Sequence, residues 1–181
     1  MKIQKTDIPD VLLIKPEIYE DDRGFFIETY HKEKFFGLGI PEFVQDNHSS
    51  SRKGVLRGLH YQIQHSQGKL VRVVQGTVFD VVVDIRKSSK SFGKWIGQLL
   101  SSENKYQLWV PTGFAHGYYV LSESVDFLYK TTDFYSPEYE RTILWNDVDL
   151  SITWPIPNGE TPIISSRDLN GLKFSEADHF D

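Results

Sequence analysis

Arg57 and His60 lie within Gly54-Val55-Leu56-Arg57-Gly58-Leu59-His60-Tyr61-Gln62, and Lys69 follows closely in Gln67-Gly68-Lys69-Leu70-Val71. The surrounding positions are mostly β-branched or large apolar residues, so the two stretches read as a strand, a short turn and a second strand. A guanidinium and an ammonium can hold an anion, and an imidazole can take up or release a proton near neutral pH. Burying such groups without partners costs several kcal/mol each. Taken singly, Arg57 or Lys69 reads as a solvated edge-strand charge that discourages aggregation. Grouped on one hairpin, the three read as the working edge of a pocket.

A second histidine, His116, stands three residues after a glycine in Pro111-Thr112-Gly113-Phe114-Ala115-His116-Gly117. This spacing resembles the second motif of the cupin superfamily, small jelly-roll barrels whose histidines often hold a metal. The first motif of a metal-binding cupin would add two histidines separated by one residue and a nearby carboxylate. The corresponding strand here reads His60-Tyr61-Gln62, so one ligand is missing. Catalytic metal sites usually take at least three protein ligands. No metal is therefore expected, and His60 is left for proton chemistry.

The elements that must position these groups are mostly strands. Val11 to Ile14 and Phe25 to Tyr30 read as early strands around an Asp21-Asp22-Arg23-Gly24 turn, and His31 to Leu38 as a short helix stopped by Gly39. Further strands are expected at Val55–Gln62, Lys69–Val74, Thr77–Ile85, Trp95–Leu100, Tyr106–Val110, Gly113–Leu121 and Val125–Thr131, with a last one at Thr142–Trp145. Phe79-Asp80-Val81-Val82-Val83-Asp84 has valines at both parities, the pattern of a central strand. Many short strands with almost no helix indicate an all-β sandwich or barrel. Lys69 shares a parity with Val71 and Val73, and Tyr129 with Val125 and Phe127. Arg57 and His60 differ in parity, so they can share a site only if the strand bulges or bends at Gly58.

The chain has 181 residues, of which 39% are hydrophobic and 14% aromatic, enough to bury one sizeable core. A single domain over residues 1–181 is expected, with a tail from about 137 that wraps over the barrel. The net charge of -5 and the scattered basic residues argue against a nucleic-acid partner. Without cysteine there is no disulfide, thiolate metal site or cysteine nucleophile. No apolar run suggests a signal peptide or a membrane span, and a cytoplasmic protein is expected.

Seven groups of residues occur in one order: Gln45-Asp46-Asn47-His48-Ser49, Gly54 to Gln62, Gln67 to Val71, Ser91-Phe92-Gly93 with Trp95, Leu108 to Gly117, Tyr129-Lys130 and Tyr135-Ser136-Pro137. This ordered set resembles the dTDP-4-dehydrorhamnose 3,5-epimerase family over nearly the whole chain. The resemblance implies a cupin-type jelly roll and a cofactor-free, metal-free inversion of a dTDP-linked 4-keto-6-deoxyhexose at C3 and C5. By that resemblance His60 is the base, oriented by Asp168; Tyr129 is the proton donor on the other sugar face; and Lys69 lies near the C4 oxygen. Arg57 and Arg23 are implied at the diphosphate and nucleotide, with Phe25 and Tyr135 stacking on the thymine or lining the pocket. Glu28, Gln45, Asn47, His116 and Glu140 match further substrate-binding positions. Arg167, also assigned to substrate, stands where some relatives have lysine.

The resemblance also implies a homodimer in which N-terminal strands, within about residues 1–48, join the partner and carry Arg23 and Phe25 to the neighbouring site. Three other readings are compatible with the same residues. One is an epimerase acting at C3 alone or on another deoxysugar nucleotide. The others are a metal-dependent cupin enzyme and a non-catalytic sugar-nucleotide-binding module.

Overall fold

The computed structural model describes residues 1–181. In chain order its strands are β1 (Lys2–Lys5), β2 (Leu12–Lys15), β3 (Ile18–Asp21), β4 (Gly24–Ile27), β5 (Gln45–Arg52), β6 (Leu56–Gln62) and β7 (Lys69–Gln75). They continue with β8 (Thr77–Asp84), β9 (Trp95–Ser101), β10 (Gln107–Val110), β11 (Phe114–Val120), β12 (Ser124–Thr131) and β13 (Glu140–Thr142). Two short helices, α1 (Lys32–Phe36) and α2 (Ser166–Leu169), and two single 3-10 turns, Pro137–Tyr139 and Phe174–Glu176, complete the regular structure.

Two antiparallel sheets face each other. The six-stranded sheet runs β1-β2-β10-β7-β12-β5, and the five-stranded sheet runs β13-β6-β11-β8-β9. Such non-sequential neighbours are produced by jelly-roll crossings, which fold one chain into a two-layered barrel. Inward residues of both sheets, among them Val71, Val73, Val82, Leu108, Phe114, Val125 and Phe127, form one buried cluster between the layers. The two parities of β8 are both buried: Val78 and Val82 belong to this inner cluster, whereas Val81 and Val83 face a second one outside the sheet. That second cluster is closed by the tail through Leu150 and Trp154, with Ile156, Phe174 and Phe180 packed against it. Proline-rich chain serves here as a cover because it need not donate to a ladder.

Several boundaries differ from the sequence reading. The strand expected at Thr142–Trp145 is instead β13, Glu140–Thr142; beyond it Ile143 exchanges backbone hydrogen bonds with Leu59 and forms an isolated bridge to Leu172. The strand expected over Phe25 to Tyr30 stops at Ile27, and α1 is shorter than His31–Leu38. Strands β1, β3 and β5 were not anticipated. In β5, Gln-Asp-Asn-His-Ser-Ser-Ser-Arg, alternate residues are half-buried and exposed, so polar side chains occupy both faces.

Candidate active site

A cavity of about 370 Å³ opens between the two sheets. Lys69 from β7, Tyr129 and Phe127 from β12, and Gln45, Asn47 and Ser49 from β5 line it on the six-stranded side. Arg57 and His60 from β6, His116 from β11 and Glu140 from β13 line it on the other, and Tyr135 stands beside them. The register explains the shared face on the first side. Tyr129 lies opposite Asn47 on one flank and Val71 on the other, while Thr131 lies opposite Gln45 and Lys69. Steps of two along each strand then bring every one of these residues inward.

The parity conflict between Arg57 and His60 is resolved by a bulge. His60 pairs with His116 and Arg57 with Tyr118, so three steps along β6 oppose two along β11. The extra residue turns Arg57 and His60 to the same side. Gly58, at φ +117, permits it: a Cβ there would lie 2.6 Å from Gly117 Cα and 2.7 Å from His116 O.

The bulge also helps to hold a carboxylate. Asp168, on α2 and only 3% exposed, places Oδ1 2.6 Å from His60 Nε2, and its Oδ2 accepts the Gly58 N–H at 3.2 Å. Burial would raise this carboxyl, but the His60 and Gly58 hydrogen bonds outweigh it and hold it below the ordinary aspartate range. Charged Asp168 fixes Nε2–H toward itself and leaves Nδ1 of His60 free to take a proton.

His116 forms a second imidazole–carboxylate pair. Its Nε2 lies 2.9 and 3.0 Å from the two oxygens of Asp80, which is fully buried on β8. The sequence reading did not single out Asp80. Its signal was a charge inside the apolar run Phe79–Val83, where an unpartnered carboxylate would be costly. Burial drives the Lys69 ammonium down to about 8, partly offset by the Asp80 carboxylate. The phenol of Tyr129 is raised, chiefly by burial and then by Tyr118, with Arg57 opposing, so it is protonated at neutral pH.

Arg57 donates from Nε to Ser51 Oγ at 3.0 Å and from Nη2 to the Ser50 carbonyl at 3.3 Å, at the exposed lip of the cavity. Glu140 accepts from the Tyr135 hydroxyl at 2.5 Å and pairs with Arg167. Arg23, Phe25 and Glu28 lie elsewhere in this chain. Arg23 is bound to Asp21 at 2.6 Å on the exposed β3–β4 hairpin, Glu28 pairs with Lys34 at 2.6 Å, and the Phe25 ring lies under Lys105. No group of three or more His, Cys, Asp or Glu side chains is arranged to hold a metal ion.

The model of the dTDP-4-dehydrorhamnose 3,5-epimerase family matches residues 5–176. The chain belongs to that family. It is 56% identical to the dTDP-4-dehydrorhamnose 3,5-epimerases of Shigella flexneri, over 184 residues, and of Pseudomonas aeruginosa, over 182, with 99% of each chain covered in both cases. Its fold matches the dTDP-6-deoxy-D-glucose-3,5-epimerase of Legionella pneumophila, a structure in complex with dTDP-4-keto-L-rhamnose, with a TM-score of 0.95 at 51% identity. That match covers 98% of this chain and 94% of the other. Within this family, then, the all-β barrel expected from the strand pattern is the observed fold, in the jelly-roll form that the family resemblance implied, and the cavity between its sheets holds the polar side chains described above.

Proposed function

We infer that this member of the epimerase family inverts C3 and C5 of dTDP-4-dehydro-6-deoxy-D-glucose, giving dTDP-4-dehydro-L-rhamnose. The observation that carries the reading is that His60 and Tyr129 line one cavity from opposing sheets, with Lys69 beside Tyr129 on the neighbouring strand.

A C–H bond beside the C4 ketone is acidified because the carbanion is delocalised onto O4 as an enolate. His60, oriented by Asp168, removes the proton through Nδ1. The Lys69 ammonium, in a poorly solvated position, stabilises the developing charge on O4. Tyr129 then donates its phenolic proton to the opposite face of the same carbon, which inverts it. The imidazolium and phenolate exchange protons with solvent before the second carbon reacts. One proton leaves and one arrives at each centre, so the reaction is redox-neutral and calls for no oxidant. Arg57 at the lip suits the diphosphate, since a guanidinium meets phosphate oxygens in a planar, bidentate manner. His116, Asn47, Gln45, Glu140 and Arg167 contact or orient the remainder of the nucleotide sugar in this reading.

The active form is a homodimer. Phe25 and Phe26 are 59% and 68% exposed on the β3–β4 hairpin, alongside exposed Tyr19, which is more apolar surface than a small hairpin keeps in water without cover. Another cavity, of about 340 Å³, lies on the outer side of the six-stranded sheet and includes Arg72, Leu128 and Lys130. A partner hairpin laid there would bring its Arg23 and Phe25 to the edge of the catalytic cavity, since Asn47 and Tyr129 border both.

The test is turnover of the 4-keto sugar in deuterium oxide. Solvent deuterium is expected at both C3 and C5, and His60→Ala should slow its appearance by about 10²–10⁴-fold. Label at C3 alone would identify a single-centre epimerase, and label at neither carbon would overturn the reading.

A further inference from the structure

Residues 133–136 lie between β12 and a single 3-10 turn, Pro137–Tyr139, and belong to no ladder. Each of the four nevertheless has a backbone polar group met by a glutamine side chain. Gln67 Nε2 donates to the Asp133 carbonyl at 2.9 Å, and Gln62 Nε2 donates to the Phe134 carbonyl at 3.2 Å and the His65 carbonyl at 2.7 Å. The Tyr135 N–H donates to Gln45 Oε1 at 3.0 Å, and the Ser136 N–H to Gln62 Oε1 at 2.9 Å. The three glutamines come from β5, β6 and the turn before β7, so side chains from two sheets converge on one short loop.

Gln62 is the centre of this arrangement. It is 4% exposed, shares the inward parity of His60, and occupies the position where a metal-binding cupin would place the second histidine of its first motif. A neutral imidazole offers one donor and one acceptor. A primary amide offers two donor hydrogens and an acceptor oxygen, which matches the three contacts observed.

We propose that Gln45, Gln62 and Gln67 form an amide cradle that holds the Tyr135 ring at the mouth of the cavity, and that Gln62 is a positioning residue for nucleotide binding through Tyr135. The proposal rests on the reading of this cavity as a sugar-nucleotide site. Tyr135 is 49% exposed and its side chain has one anchor, the Glu140 carboxylate, so little but its backbone restrains where the ring stands. Fixing that backbone in advance removes part of the ordering cost that stacking a ligand on the ring would otherwise incur.

A double-mutant cycle decides it. Thymidine diphosphate affinity is measured by calorimetry for the full chain, Gln62→Glu, Tyr135→Ala and the double variant, together with hydrogen exchange at the Tyr135 and Ser136 amides. Gln62→Glu preserves the side-chain shape but sets a carboxylate against the Phe134 and His65 carbonyls. Faster exchange at the two amides and about tenfold weaker binding are expected, with a loss under about threefold once Tyr135 is alanine. Equal losses in the two backgrounds would overturn the proposal, as would faster exchange with unchanged affinity, which makes the cradle a loop brace only. If Gln62→Glu does not fold, the same cycle with Gln67→Ala, at a half-buried position, decides the matter. No thymidine diphosphate binding by the full chain would defeat the reading of the site, and with it the task given to Tyr135. Normal binding with no coupling between the residues would defeat the cradle alone.

Discussion

At the scale of single residues, the site is set by which charges are left without water. Lys69 carries its ammonium in a position where burial lowers the proton affinity to about 8, and Asp80 is the group that pulls it back up. A lysine that must be charged to stabilise an enolate loses that ability as pH rises through its own pKa. Turnover is therefore expected to fall on the alkaline side near about 8, well below the range of a free lysine. Asp80→Asn removes the opposing charge yet can still accept from His116 Nε2, so the alkaline limb should move to lower pH. The His60–Asp168 pair is left untouched by this change. Arg57, His116, Tyr129 and Glu140 also face this cavity, and a limb that ignores Asp80→Asn would belong to one of them or to chemistry elsewhere. A pH profile of kcat for the two proteins separates these outcomes.

At the scale of elements, the decisive feature is the bulge in β6. A regular strand would put Arg57 and His60 on opposite faces, leaving either the guanidinium or the imidazole outside the cavity. Gly58→Ala is expected to cost more than about 2 kcal/mol in urea denaturation, because the new methyl meets backbone at 2.6 and 2.7 Å in a conformation with φ +117. Gly54→Ala makes a useful contrast, since its φ of +78 strains an alanine but nothing lies within 4 Å of the added Cβ. It should cost about 1 kcal/mol. Comparable losses at both positions would mean that backbone conformation, not the approach to Gly117, dominates. The need for such a bulge was legible in the sequence as a parity conflict next to a glycine. The apolar strands were legible too, because burial on one or both faces writes a pattern of two or a continuous run. Strand β5 was not: its inner face lines a polar cavity and its outer face is exposed, so neither demands apolar residues. Asp168 could not be placed from spacing either. It reaches His60 from 108 positions away along the chain, through a tail whose local sequence reads as turn and cap.

At the scale of the whole molecule, one chain supplies a cavity with an imidazole, a phenol and an ammonium, but keeps Arg23 and Phe25 on a hairpin outside it. If the hairpin completes the site of a partner, two differently damaged chains should repair each other. His60→Ala retains a sound hairpin but lacks the imidazole; Arg23→Ala/Phe25→Ala retains the imidazole but has a damaged hairpin. In a mixed dimer one site receives His60 from the second chain and the intact hairpin from the first, while the other site receives neither. Random exchange of subunits makes about half of the dimers mixed, each with one complete site of two, so about a quarter of the native activity should return. The mixture is refolded together and assayed against each variant alone, with sedimentation velocity reporting the oligomeric state. Activity no greater than the average of the separate variants would mean that each chain completes its own site. A sedimenting monomer at full activity would do so as well, and would leave the exposed hairpin aromatics to some other contact.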